Sequence, residues 1–173
     1  MMAVQKLSKA EMTQRLAGIK LLSLDTDGVL TDGGIYFTDS GDELRKFNVK
    51  DGMGMKLAQG AGVALAIITA SSTPSIGHRG NALGVDYVYL DAQDKLGTLV
   101  SLCDQMGIDL EQVAHVGDDV NDIPVLEAVG CPMSVNDAMA AAQDAAIYIT
   151  EKNGGDGAVR EICDMILSGK RIG

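Results

Sequence analysis

No apolar run in this chain reaches the length needed to span a bilayer, and the opening stretch MMAVQKLSKAEMTQRLAGIK lacks the long apolar centre of a secretory signal. Positive charge is scarce as well. Fourteen lysines and arginines stand against 24 aspartates and glutamates, for a formal net charge of -10 and a pI of about 4.5. A surface of that sign repels nucleic-acid backbones and anionic membranes, so neither is expected as a partner, and an anionic substrate needs a local positive centre. Cysteine occurs only at 103, 131 and 163, widely spaced and with no CxxC pair, which argues against a disulfide framework or a zinc site and points to a reducing cytoplasm. No internal repeat, low-complexity tract or linker divides the 173 residues, a length suited to one domain with a full core.

What the chain does have is a rhythm. The short apolar runs KLLSLD, VALAIIT, DYVYL, VAHVG and CPMSV alternate with helical-period segments such as DKLGTLVSLCDQMG. That pattern predicts an α/β fold, a parallel sheet with helices on both faces. In the helix over 94–106, Leu96, Leu99, Val100, Cys103 and Met106 are expected to face the core. Near the start, Ser8 and Glu11 form an S-x-x-E capping box, with Leu7 and Met12 as its hydrophobic staple. One segment departs from the rhythm: DGGIYFTDSGDELRKFN sets two alternating stretches around the turn-forming TDSGD, which predicts a projecting β-hairpin over about 33–49.

Ligands of open parallel sheets sit beyond the carboxyl ends of the strands. In chain order those ends carry Asp25 and Asp27, then Thr69, then Lys95, then Asp118, Asp119 and Asp122. Taken singly, each has a plain structural reading: a solvated D-x-D turn, a strand-end hydroxyl bonded to backbone, a solvated lysine opening a helix, a turn with a cap at Asn121 or Asp122. An EF-hand loop at DTDGV is excluded, because its glycine comes too early and Tyr36 stands where the twelfth-position Glu belongs. The ordered set points elsewhere. Carboxylates gathered from separate strands call for a hard cation, with Mg²⁺ the better match. A hydroxyl and an amine beside them suit the oxygens of a phosphoryl group. A carboxylate can itself attack phosphorus, and a second one two residues on can serve the leaving oxygen and then a water.

The segments LDTDGVLTDG, IITAS, DK and VGDDVNDIPVL resemble the four ordered motifs of the haloacid dehalogenase superfamily of phosphohydrolases. More narrowly, GGIYFTDSGDELRKFNVKDGMGMKL and GGDGAVREICDMIL are similar to its subfamily of 3-deoxy-D-manno-octulosonate 8-phosphate phosphatases, over about residues 19–168. The resemblance implies a Rossmann-like core without a large cap domain, Asp25 as nucleophile and Asp27 as general acid and base. It implies Mg²⁺ held by Asp25, the Asp27 carbonyl and Asp118, phosphoryl contacts from Thr69 and Lys95, and support from Asp119 and Asp122. It also implies a sugar-acid phosphate as substrate, a homotetramer with the hairpins at its centre, and a Gly-rich tail, NGGDGAVRE, near a neighbouring site. Asn48, Asp51, Gly52 and Arg79 match the subfamily's substrate-binding positions. Lys50, Lys56 and Ser71 stand where arginines are usual, and a lysine keeps the charge without the planar fork while a serine keeps neither. A nine-carbon, sialic-type acid phosphate is the alternative substrate. A phosphoreceiver module would use the same residue types, but there the acid pair precedes the phosphoacceptor and the lysine comes last.

Overall fold

The computed structural model describes residues 4–172. Six strands form one wholly parallel sheet in the order β5-β4-β1-β6-β7-β8, with β1 Leu21–Leu24, β4 Ala64–Ile68, β5 Tyr87–Tyr89, β6 Val113–Gly117, β7 Cys131–Ser134 and β8 Tyr148–Ile149. Successive side chains alternate faces. Leu22 and Leu24 therefore enter one core with Met12 and Leu16 of α1 (Lys9–Leu16), Met55 and Ala58 of α2 (Val49–Gly60), Ile76 of α3 (Pro74–Leu83), and Val159 and Ile162 of α7 (Ala158–Ile172). Leu21 points the other way, joining Ala66, Ile68 and Val113 against Leu99, Leu102 and Cys103 of α4 (Lys95–Met106) and Val125 of α5 (Ile123–Leu126). A short helix, α6 (Ala140–Ala145), precedes β8. Among the described residues there is no large cap domain. Between β1 and α2 stands only a two-stranded antiparallel hairpin, β2 (Tyr36–Phe37) and β3 (Glu43–Leu44).

All five apolar runs became strands, and the capping box closes with Ser8 accepting from the Glu11 amide at 3.3 Å and Glu11 accepting from the Ser8 amide at 2.8 Å. Leu7 packs against the core that holds Met12. The Gly-rich segment leads into a helix at Ala158, and its Gly155 amide donates to the Val29 carbonyl of the same chain at 3.0 Å. One core expectation needs correcting. Val100 is 38% exposed, while Leu102 is buried in its stead. The inward line of α4 runs 95, 99, 102, 103, because Lys95 at the helix start is itself turned toward the strand ends.

The chain adds strands to one side of β1 (β4, β5) and then to the other (β6, β7, β8). The crevice between β1 and β6 is thus the switch point of the sheet, where connections leave in opposite directions and a ligand has room. Leu24 pairs with Val116 across it, so the residues just beyond, Asp25 and Asp118, emerge side by side.

Candidate active site

Asp25 follows the last residue of β1, and its amide donates to the Val116 carbonyl at 3.1 Å, which continues the β1–β6 pairing one residue past the strand. Its carboxylate is only 5% exposed. Lys95, 3% exposed, extends from the first turn of α4 and lies 3.0 Å from Asp25 Oδ2 and 2.7 Å from Asp122 Oδ1. The solvated lysine of the plain reading does not occur. Asp122 uses both oxygens: Oδ1 meets Lys95 and, at 3.3 Å, His115 Nε2, while Oδ2 accepts from the Asp118 amide at 3.1 Å. His115, buried in β6, is fixed at its other nitrogen by Ser23 of β1 at 3.1 Å. Asp122 therefore orients both the lysine and the loop that presents Asp118.

Carboxylate oxygens of Asp25, Asp118 and Asp122 all lie within 4.8 Å of one another. Three acids with a single lysine among them leave surplus negative charge. Its trace is in the ionisation. Burial, with Asp122 nearby and Lys95 opposing, pushes Asp25 up to about 6. Burial and the charges of Asp25, Asp122 and Asp119 push Asp118 up to about 7. Asp122 goes the other way: although burial opposes it, the His115 hydrogen bond and the Lys95 charge hold it down to about 2. Lys95 is likewise kept above its ordinary value against burial by Asp25 and Asp122. A divalent cation fits this donor set. Asp122 is fully engaged, whereas Asp25 and Asp118 have oxygens to offer and are the two whose ionised form the pocket disfavours.

The walls confirm the shape. Asp25, Asp27, Gly28, Gly33, Asp118, Asp119, Val120 and Asn121 line an open cleft of about 320 Å³. Gly28 has φ +85, and a Cβ there would sit 2.0 Å from Asp118 Oδ2, so the backbone yields its space to that carboxylate. Asp119 is exposed and accepts from the Val120 amide at 2.7 Å, capping a short 3-10 turn, Val120–Asp122. Thr69 is buried just past β4, where its hydroxyl oxygen accepts from the Ser71 amide at 3.2 Å and its proton stays free to donate.

The positions matched to substrate binding fall in two groups. Ser71 lies two residues beyond Thr69 and donates to Thr73 at 3.1 Å, and Lys50 and Lys56 are exposed. Asn48, Asp51, Gly52 and Arg79 come together around Phe47. Asn48 caps α2 by accepting from the Lys50 amide at 2.8 Å and donates to the Gly155 carbonyl at 3.1 Å. Asp51 is buried and accepts from the Arg160 amide at 2.7 Å, in the first turn of α7. Arg79 donates to the Asn48 carbonyl at 3.1 Å, stacks 5.7 Å from the Phe47 ring centroid, and fills the space beside Gly52.

Two site residues carried no flag in the sequence. His115 sits inside an apolar run, where the only signal is that a buried imidazole needs partners. Arg45, in the hairpin, pairs with Asp27 through Nε at 2.7 Å.

An acidic strand end, a lysine and a second acidic strand end, arranged across the switch point of a capless parallel sheet, are the arrangement of a haloacid dehalogenase-like hydrolase. A family model of that description matches residues 88–162, which takes in Lys95 and the β6 acids. The 3-deoxy-D-manno-octulosonate 8-phosphate phosphatase of Yersinia pestis is 41% identical over 157 residues, covering 91% of this chain and 84% of that protein. The Moraxella catarrhalis enzyme of the same name, solved with magnesium ion, phosphate ion and KDO, superposes with a TM-score of 0.91 at 37% identity, over 93% of this chain and 92% of that one. A cobalt-bound form of the Haemophilus influenzae enzyme gives 0.87 at 34% identity, over 91% and 92%. The chain belongs to the 3-deoxy-D-manno-octulosonate 8-phosphate phosphatase family of the haloacid dehalogenase superfamily, and is a phosphomonoester hydrolase.

Proposed function

We propose that this enzyme hydrolyses 3-deoxy-D-manno-octulosonate 8-phosphate to the free sugar acid and phosphate, with Mg²⁺ bound by Asp25, the Asp27 carbonyl and Asp118. The observation that carries this reading is the Asp25–Lys95–Asp122–Asp118 cluster at the β1/β6 crevice, in a chain 41% identical to phosphatases named for that substrate. When bound, the cation draws charge from the phosphoryl oxygens and offsets the negative surplus of the pocket.

An oxygen of Asp25 attacks phosphorus, the bond from phosphorus to the ester oxygen breaks with its electron pair passing to that oxygen, and Asp27 delivers a proton to it. The alcohol leaves and an aspartyl phosphate remains. Asp27, now a carboxylate, takes a proton from water; the hydroxide oxygen attacks phosphorus, the bond to Asp25 breaks, and phosphate departs with both aspartates restored. Lys95 and the Thr69 hydroxyl hold the transferring phosphoryl oxygens, and Asp122 keeps Lys95 charged and in place. Ser71 lies toward the sugar, where its short side chain sets the room available.

The hairpin presents Ile35, Tyr36, Phe37 and Leu44 to solvent, Phe37 at 66% exposed, and this apolar set supports a homotetramer built on the hairpins. Three buried free thiols fit a cytoplasmic setting. Among the described residues no helix is long and apolar enough to cross a membrane. Phosphate release across a panel of sugar phosphates, with Mg²⁺ and with chelator, tests the substrate. The eight-carbon acid 8-phosphate is expected to turn over fastest and only with metal. Preference for a nine-carbon acid phosphate would move the assignment to the sialic-type alternative; no turnover of either acid would overturn it.

A further inference from the structure

Asp27 is held by an arginine that no motif flags. Arg45, just after β3, donates from Nε to Asp27 Oδ1 at 2.7 Å and from Nη2 to Asp27 Oδ2 at 3.4 Å, and the same Nη2 lies 3.0 Å from Glu43 Oε2. The arginine side chain is 2% exposed. The contacts continue: Glu43 Oε2 accepts from the Thr73 hydroxyl at 2.7 Å, Thr73 from the Ser71 hydroxyl at 3.1 Å, and the Ser71 amide donates to the Thr69 hydroxyl at 3.2 Å. A run of ion-pair and hydrogen-bond contacts through Arg45, Glu43, Thr73 and Ser71 thus links the carboxyl that serves the leaving oxygen to the hydroxyl that holds the phosphoryl group.

We propose that Arg45 is the positioning residue for Asp27. The proposal rests on the acid and base role given to Asp27 above. Asp27 stands on a loop, two residues past the anchored amide of Asp25 and beside a glycine with φ +85, so its backbone alone leaves the carboxyl plane free to turn. A guanidinium fork removes that freedom, because two parallel bonds fix a plane where one bond fixes only a point. Each carboxyl oxygen keeps a further lone pair, so the fork leaves room for the transferred proton. Nη1 of Arg45 is buried without a protein partner, although an arginine retained only for stability would be expected to have its donors paired. The hairpin thereby gains a role in the chemistry.

The test compares leaving groups. The sugar-acid phosphate expels an alkoxide that needs a proton, whereas p-nitrophenyl phosphate expels a phenolate that does not. The quantity read is kcat/KM, which covers only steps up to loss of the alcohol and so excludes the later use of Asp27 as base. With Mg²⁺ present, Arg45→Gln is expected to lower kcat/KM for the sugar-acid phosphate by about thirtyfold or more and for the nitrophenyl ester by less than about threefold, with Arg45→Lys intermediate. Equal losses on both substrates, or none, would overturn the proposal. If Arg45→Gln does not fold, as read by its thermal melt, Arg45→Lys carries the same comparison. Asp27→Asn is the reference. If it shows no selectivity for the poor leaving group, the role of Asp27 is wrong; if it does and the Arg45 variants do not, only the role of Arg45 is wrong.

Discussion

Two polar clusters are built into this protein, and they differ in how their charge is answered. Around Phe47, Asn48 caps α2, Arg79 donates to the Asn48 carbonyl and Asp51 caps α7 through one oxygen, while burial pushes the Asp51 carboxyl up and its Oδ2 is without a partner among the described residues. Past β1 and β6, three acids share one lysine, and two of them are forced toward protonation near neutral pH. The lesson is that burial and residue type do not separate scaffold from site. A gathering of like charges does, since a fold gains nothing from holding three acids together unless something else enters among them.

The largest expected effect lies at the centre of the second cluster. Asp25→Asn removes the proposed nucleophile with almost no change of shape and relieves repulsion, so turnover should fall at least about a thousandfold while the melting temperature holds or rises. Wild-type turnover in this variant would move the nucleophile elsewhere. Asp122→Asn should act on stability as well, by about 3 kcal/mol, because it strips a buried partner from Lys95. Urea unfolding reads that loss, and an unchanged midpoint would show that Asp25 alone suffices to hold the lysine.

A pH series sharpens the contrast. The raised values of Asp25 and Asp118 mean that the folded chain binds protons the unfolded chain, with carboxyls at the usual 3.8, has already released. Their contribution therefore favours the metal-free fold at low pH and is lost as pH rises toward about 7. Protons and Mg²⁺ compete for the same oxygens, so the rise in melting temperature on adding Mg²⁺ should grow between about pH 5.5 and about pH 7.5. A pH-independent rise would place the cation away from these two acids. The smallest effect belongs to the first cluster: Asp51→Ala should lower stability by about 1 kcal/mol through loss of a helix cap, and change kcat less than about threefold. A large rise in KM with stability intact would instead make Asp51 a substrate contact, as the family resemblance implies.

Much of this was legible before any coordinates. Strands β1, β4, β5, β6 and β7 stand out as apolar runs, and the ordered acids, threonine and lysine mark their ends. Strand β8 was not anticipated, because two residues between short helices carry no periodicity to read. On α4 the pattern places Val100 in the core, where Leu102 is found instead, because Lys95, which reads as a solvated lysine, turns inward at the helix start. Asp122 was expected in a supporting role, but not its double engagement with Lys95 and the Asp118 amide, which depends on a three-dimensional turn. Arg45 was invisible because a charged residue in an alternating hairpin reads as solvated surface, and only the fold reveals that it turns inward to Asp27.

Mg²⁺ titration by calorimetry at about pH 7.5, with the wild type and Asp118→Asn side by side, addresses the central assertion most directly. One ion per chain is expected in the wild type, with affinity at least about tenfold weaker in the variant. Equal affinity in both would contradict the shared β1/β6 metal site and the mechanism built on it.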